Sequence, residues 1–300
     1  MQDETHHQSK TGRFQRSREL IKSAWHVLKL DKELITLPLI GLAVSGLVAL
    51  VGIILVLITA STVETSGQNN GFSWISTIIL IVFGIIITFI SNFIATAIAR
   101  GALDRFEGHD PTIRGSLQAA RQRAGSILKF SILATTVGLV LQFIQDRVPF
   151  AGKIFVWLGQ LAWGVATFFV IPVIAMSEEP IGPIEATKNS GNLIKKVWGE
   201  SLVVNVGIGL IAILTFIPYM LVSIFLGALA GSVWIPLGIV LGTLFALGFF
   251  GLILIFSVLS AIVRAAIYYW AITGKAPATF DRELLRASLT PKKARRFFAN

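Results

Sequence analysis

The chain has 300 residues, of which 54% are hydrophobic and only 14% charged, with a mean hydropathy of +0.75. Soluble domains carry about 25% charged residues, so this composition excludes an ordinary soluble fold and reads as an integral membrane protein. Cysteine is absent, which excludes a disulfide framework, thiolate catalysis and Cys-ligated zinc or iron, and the net charge of +10 belongs either to a nucleic-acid face or to one side of a membrane.

Residues 1–13 are polar, carry His6 and His7, and read as a disordered cytoplasmic tail. No uninterrupted apolar stretch or small-residue cleavage site precedes Leu34, so a secretory signal peptide is not expected. From Phe14 to Leu28 the residues Phe14, Leu20, Ile21, Ala24, Trp25 and Leu28 recur at helical spacing, with Arg16, Arg18, Glu19, Lys22 and Lys29 opposite them. Such a helix suits either the headgroup region of a membrane or the surface of other helices, because both bury the same stripe.

The membrane domain is expected over residues 14–275, with six helical spans at about 34–60, 73–99, 127–145, 154–177, 201–228 and 235–263, since about 20 apolar residues cross a bilayer. The SGQNNG stretch separates the first two spans, and Gly231 to Pro236 supplies the turn between the last two. Before the third span, Asp110 and Pro111 read as an N-cap and a first helical position. Ile113, Leu117, Ala120, Ala124 and Ile127 form the stripe that follows, with Arg114, Arg121 and Gln122 off it. Pro172 is expected to kink the fourth span and Pro218 to bend the fifth. Ile184, Leu193, Ile194, Val197 and Trp198 make a further stripe before span five. Residues 276–300 form a basic amphipathic cytoplasmic tail.

The string SGNLIKKVW at Ser190 to Trp198 nearly repeats SRELIKSAW at Ser17 to Trp25, and each stands before an apolar pair of spans. Gly108 to Pro111, Gly182 to Pro183 and Gly274 to Pro277 punctuate the return of each even-numbered span. The expected fold is therefore all-α: three transmembrane hairpins, each led by an interfacial amphipathic helix. Of 26 Lys and Arg residues, 24 fall on one side of this arrangement and only Arg147 and Lys153 on the other. The excess of basic residues in cytoplasmic loops places both termini and the amphipathic helices inside. The positive charge is then topology, and nucleic acid is not an expected partner.

Ionisable residues at mid-membrane mark ion paths and proton relays, and none lies well inside a predicted span. Asn92, Gln142, Gln160 and Asn205 are the candidates for a polar path; such residues more often bond helices together. Candidate lipid-interface residues are Trp25, Lys195, Lys196 and Trp198, with Lys292, Lys293, Arg295 and Arg296 beside Phe297 and Phe298 in the tail. Small residues at four-residue spacing, Ala95 with Ala99 and Ala261 with Ala265, permit close helix contact. The four histidines are scattered without an i, i+4 pair, so no metal site is expected, and no Gly-rich phosphate cradle or nucleophile elbow gives a cofactor or catalytic motif.

The motifs FxxSxxLIxSAWxVLKxDKEL from Phe14, AWGVATFFVIPVIA from Ala162 and IEATKNSGNLIKKVWGE from Ile184 resemble, in this order, a prokaryotic family of six-span membrane proteins known only as a domain of unknown function. The layout is also distantly similar to the membrane domain of some glycerophosphoryl diester phosphodiesterases. The resemblance implies a prokaryotic plasma membrane and carries over no catalytic or binding residue. Three readings follow from the residues. The first is a non-enzymatic membrane scaffold or accessory subunit whose cytoplasmic collar binds anionic lipid headgroups and a protein partner. The second is a passive channel or small-molecule transporter. The third is a lipid-modifying enzyme, for which Glu178, Glu179 and Glu200 are the only nearby carboxylates. The sequence leaves the oligomeric state open.

Overall fold

The computed structural model describes residues 13–31, 33–65, 74–196, 201–277 and 280. These form ten helices: α1 (Arg13–Leu30), α2 (Glu33–Thr65), α3 (Trp74–Phe106), α4 (Ile113–Gln122), α5 (Ala124–Arg147), α6 (Phe150–Ala166), α7 (Val170–Met176), α8 (Pro183–Lys196), α9 (Ser201–Val233) and α10 (Ile235–Thr273). Six stretches are long and apolar enough to cross a membrane: Glu33–Thr59, Trp74–Phe106, Ala124–Arg147, Gly152–Met176, Ile211–Val233 and Ile235–Thr273. The described residues are thus all-helical, and the protein is multi-pass by the length and composition of its helices. The second and sixth stretches run past the expected ends at residues 99 and 263. In α3 the extension carries an i, i+4 pair, Arg100 to Asp104 at 3.1 Å, and in α10 Ala265, Ala266 and Ile267 are buried.

The chain divides into two compact units, Asp31–Ile194 and Met1–Leu30 with Lys195–Asn300. In the first, α2 packs on α3, and α3 also packs on α4, α5 and α7, while α5 packs on α6. The last turn of α3 is fixed by charge. Arg105 Nε donates to Asp31 Oδ2 at 2.6 Å, a second guanidinium nitrogen pairs with Asp31 Oδ1, and Arg105 Nη1 lies 2.9 Å from Asp110. A cation at a helix C-terminus also meets the negative end of the helix dipole. Gly108 closes α3 at φ 88°, a left-handed conformation that glycine adopts without steric penalty.

The expected N-cap at Asp110 is displaced two residues to Thr112, whose side chain accepts from Gly115 N at 3.0 Å. Asp110 is engaged by Arg105 instead, and Thr112 has the extended backbone (ψ 149°) that a cap requires. The expected kink near Pro172 is a break at Thr167–Phe169, between α6 and α7. Pro172 has no N–H to donate to the Phe168 carbonyl and its ring crowds that carbonyl; in the break the Phe169 N–H turns aside and donates to Ser190 Oγ of α8 at 3.0 Å. Of the expected stripe, Leu193 and Ile194 are buried while Ile184 is 75% exposed and Val197 and Trp198 lie outside the described residues; Ala186 and Ser190, both fully buried, extend the buried face toward the start of α8.

In the second unit α9 and α10 lie against one another, and α1 packs on both. Leu20, Ala24, Val27 and Leu28 are buried on α1, and Lys22 and His26 are exposed. Trp234 alone separates α9 from α10, with φ −159° and ψ 115°. A Cβ on Gly238 would come within 2.6 Å of Gly231 Cα, so the absence of a side chain there permits the reversal. Further along, Tyr219 Oη donates to the Phe245 carbonyl at 2.9 Å, and Phe216 meets Phe249 and Phe256 at 5.3 and 5.4 Å between ring centroids. Gly274 ends α10 at φ 68°, its N–H donating to the Trp270 carbonyl at 2.8 Å.

Candidate functional site

Helix α4 is held from three sides. At its start Ile113 N donates to Glu33 Oε2 of α2 at 3.1 Å. Along its buried face Ser116 and Ala120 lie against the end of α3, where a Cβ on Gly101 would stand 2.8 Å from Ser116 Oγ and 2.7 Å from Leu34 Cδ2. At its end Arg123 donates from Nη1 to the Ala119 carbonyl and from Nη2 to the Ser177 carbonyl, both at 3.0 Å. Burial first, and the neighbouring Arg100 charge second, lower the Arg123 pKa below the ordinary guanidinium value, with Asp104 opposing them. The expected continuous stripe from Ile113 to Ile127 is interrupted at this arginine, which separates α4 from α5.

With one face clamped, α4 turns Arg114, Gln118, Arg121 and Gln122 outward, all exposed, around an open cleft of about 1030 Å³. Ile113, Leu117 and Phe93 of α3 complete its wall. Phe93 and Leu117 also line an adjoining apolar cavity of about 190 Å³ between α2 and α3, with Ile40, Val44, Phe89 and Ile90. Two arginines, two amides and an apolar recess thus meet at one place. The arrangement offers cationic and hydrogen-bonding groups to an anion at one end and a dry surface to hydrocarbon at the other.

The other site residues expected from sequence are dispersed. Asn92 Nδ2 donates to Ser131 Oγ of α5 at 2.9 Å. Gln160 Nε2 of α6 donates to Gln145 Oε1 of α5 at 3.1 Å, and Gln142 is exposed. Ser131 and Gln145 are 14 residues apart on α5, about 21 Å along its axis, so the two bonds join different helix pairs at different depths. Trp25 is 38% exposed with Lys29 Nζ 5.8 Å from its ring centroid, and Lys195 is exposed. The side chains of Lys196 and Asn205, and Trp198, Glu200, Lys292, Lys293, Arg295 and Arg296, lie outside the described residues. Glu178 and Glu179 are exposed between α7 and α8. The sequence did place Arg114 and Arg121 off the apolar stripe, but only the fold brings them beside Phe93 and the recess between α2 and α3.

No curated protein and no solved structure matches the chain. A family described as a family of unknown function (DUF6159) matches residues 74–278, from the start of α3 to beyond the end of α10. That stretch is more than half of the 300 residues, and the chain belongs to this family.

Proposed function

We propose that the protein is a non-enzymatic membrane scaffold or accessory subunit, with a collar of amphipathic helices that binds anionic lipid and a protein partner. Its six spans form three hairpins, each led by an amphipathic helix, and the likeness of SRELIKSAW to SGNLIKKVW makes the unit an internal repeat. The location is the plasma membrane of a prokaryote, with both termini in the cytoplasm, on the side that holds 24 of the 26 Lys and Arg residues. The distant likeness in layout to the membrane domain of glycerophosphoryl diester phosphodiesterases adds no activity to this reading.

The observation that carries the proposal is how the charged and polar groups near the basic loops are used. Arg105 ties the end of α3 to Asp31 and Asp110, Arg123 ties the joint of α4 and α5 to the end of α7, and Asn92 joins α3 to α5. Each fixes one helix to another, which is what a rigid platform needs. The channel reading has less support, because Asn92 and Gln160 are engaged in separate interhelical bonds.

Gentle solubilisation of the full chain from native membranes, through a tag on its N-terminal tail, tests the proposal. The expected result is a partner at constant stoichiometry whose contact surface is cytoplasmic. A homo-oligomer carrying lipid alone, or a partner bound from the opposite side, contradicts it.

A further inference from the structure

We propose that the cleft beside α4 binds one anionic phospholipid, its phosphate held between Arg114 and Arg121 and one acyl chain lying in the apolar recess between α2 and α3. The proposal deepens the lipid-binding part of the reading above and rests on it, but it does not require a protein partner.

Arg100 and Arg105 nearby are paired with Asp104, Asp31 and Asp110. Among the described residues, no carboxylate lies within ion-pair distance of Arg114 or Arg121. The two arginines stand seven residues apart, two helical turns on one face, with Gln118 between them. A phosphate oxygen set between two guanidinium groups and an amide donor matches the planar, bidentate geometry that arginine offers.

Phe93 precedes Arg100 by seven residues on α3, about 10 Å along the axis, which puts the recess below the level at which the helix meets the basic loop. There Ile40, Val44, Phe89 and Ile90 present only hydrocarbon, and Phe93 and Leu117 are shared with the cationic cleft above. Gly41 forms its floor: a Cβ would come within 2.8 Å of Ile94 Cγ1, so α2 and α3 remain close behind the recess. Arginine side chains reach upward from such a position to headgroups while their stems stay on apolar surface. Headgroup contact and hydrocarbon contact are therefore continuous, which distinguishes a phospholipid from a free phosphate and from a peptide.

The full-length protein in detergent is titrated with phosphatidylglycerol or with phosphatidylcholine, and bound lipid is counted by native mass spectrometry. One phosphatidylglycerol is expected per chain, in clear preference to phosphatidylcholine. A basic residue at a membrane surface contributes about fivefold in affinity for anionic lipid, so the double variant Arg114→Gln, Arg121→Gln should lose roughly thirtyfold for phosphatidylglycerol. The double lysine variant, which retains the charge without the planar fork, should bind phosphatidylglycerol more tightly than the glutamine variant and less tightly than the wild type, which separates lost charge from lost fold. Val44→Trp should weaken both lipids by filling the recess. Equal binding of the two lipids by the wild type, an undiminished preference in the glutamine variant, or displacement of the lipid by glycerol phosphate at similar concentration would overturn the proposal.

Discussion

From Ile94 to Phe106, α3 buries Thr96, Ala97, Ile98, Ala99, Gly101, Ala102 and Leu103; from Trp74 to Phe93 it buries only Ser76. In the other unit α10 repeats the division, with its buried residues confined to Val258 through Tyr268. Elsewhere the long helices leave large apolar side chains open, among them Leu47, Leu57, Leu221, Phe225 and Leu247, each between 63 and 67% exposed. Lipid tails are as apolar as leucine, so these residues lose nothing by facing a bilayer and need no protein partner. Close packing is concentrated instead where the helices meet the basic loops. There backbone and charged groups must find partners, and alanines and glycines let the helices approach closely enough to supply them.

The largest expected effect comes from breaking the charged clamp at the packed end. Asp31 is only 7% exposed and holds Arg105 with two hydrogen bonds. Asp31→Ala removes both and leaves Arg105 with Asp110 alone, a cost of about 2–3 kcal/mol. Thermal unfolding in detergent measures this, and an unchanged midpoint would mean that the clamp contributes nothing to holding α3.

A smaller effect sharpens the contrast, because one helix carries both regions. Gly101→Ala on α3 pushes a methyl group against Leu34 and Ser116, for an expected loss of about 1–3 kcal/mol. Gly84→Ala on the same helix meets no atom within 4 Å and removes a flexible residue from a helix interior, for an expected gain of about 0.5–1 kcal/mol. Opposite signs from the same substitution in the same unfolding assay are the expected outcome. Equal losses at both positions would place protein contacts around the half that α3 is described as exposing.

The sequence discloses the apolar helices well, since an uncharged stretch of about 20 residues has few other uses. It discloses their packed ends poorly. On α4 the apolar stripe points to Ile113 and Leu117, which the fold leaves half-buried, whereas Ser116 is buried because it faces a glycine more than ten residues away in the chain. On α8 the same logic rightly favours Leu193 and Ile194, which are buried, but also Ile184, which is exposed, and it passes over Ala186 and Ser190, whose small side chains permit the closest approach. Hydrophobic periodicity weights size, and these contacts depend on smallness. The ion pair between Asp31 and Arg105 spans 74 positions and leaves no local signal. Similarly, Arg114 and Arg121 are visible as an exposed basic face, but their nearness to Val44 and Phe89 exists only once α2, α3 and α4 are brought together.

The absence of native cysteine allows the most direct measurement, a scan of α3 with single cysteines bearing nitroxide labels in lipid vesicles. Collision with dissolved oxygen reports lipid exposure, and label mobility reports packing. The account predicts high oxygen accessibility on the open face of residues 77–92, and immobile labels of low accessibility at the buried positions from Ile94 to Leu103. Uniform accessibility along the whole helix, or immobile labels throughout residues 77–92, would contradict it.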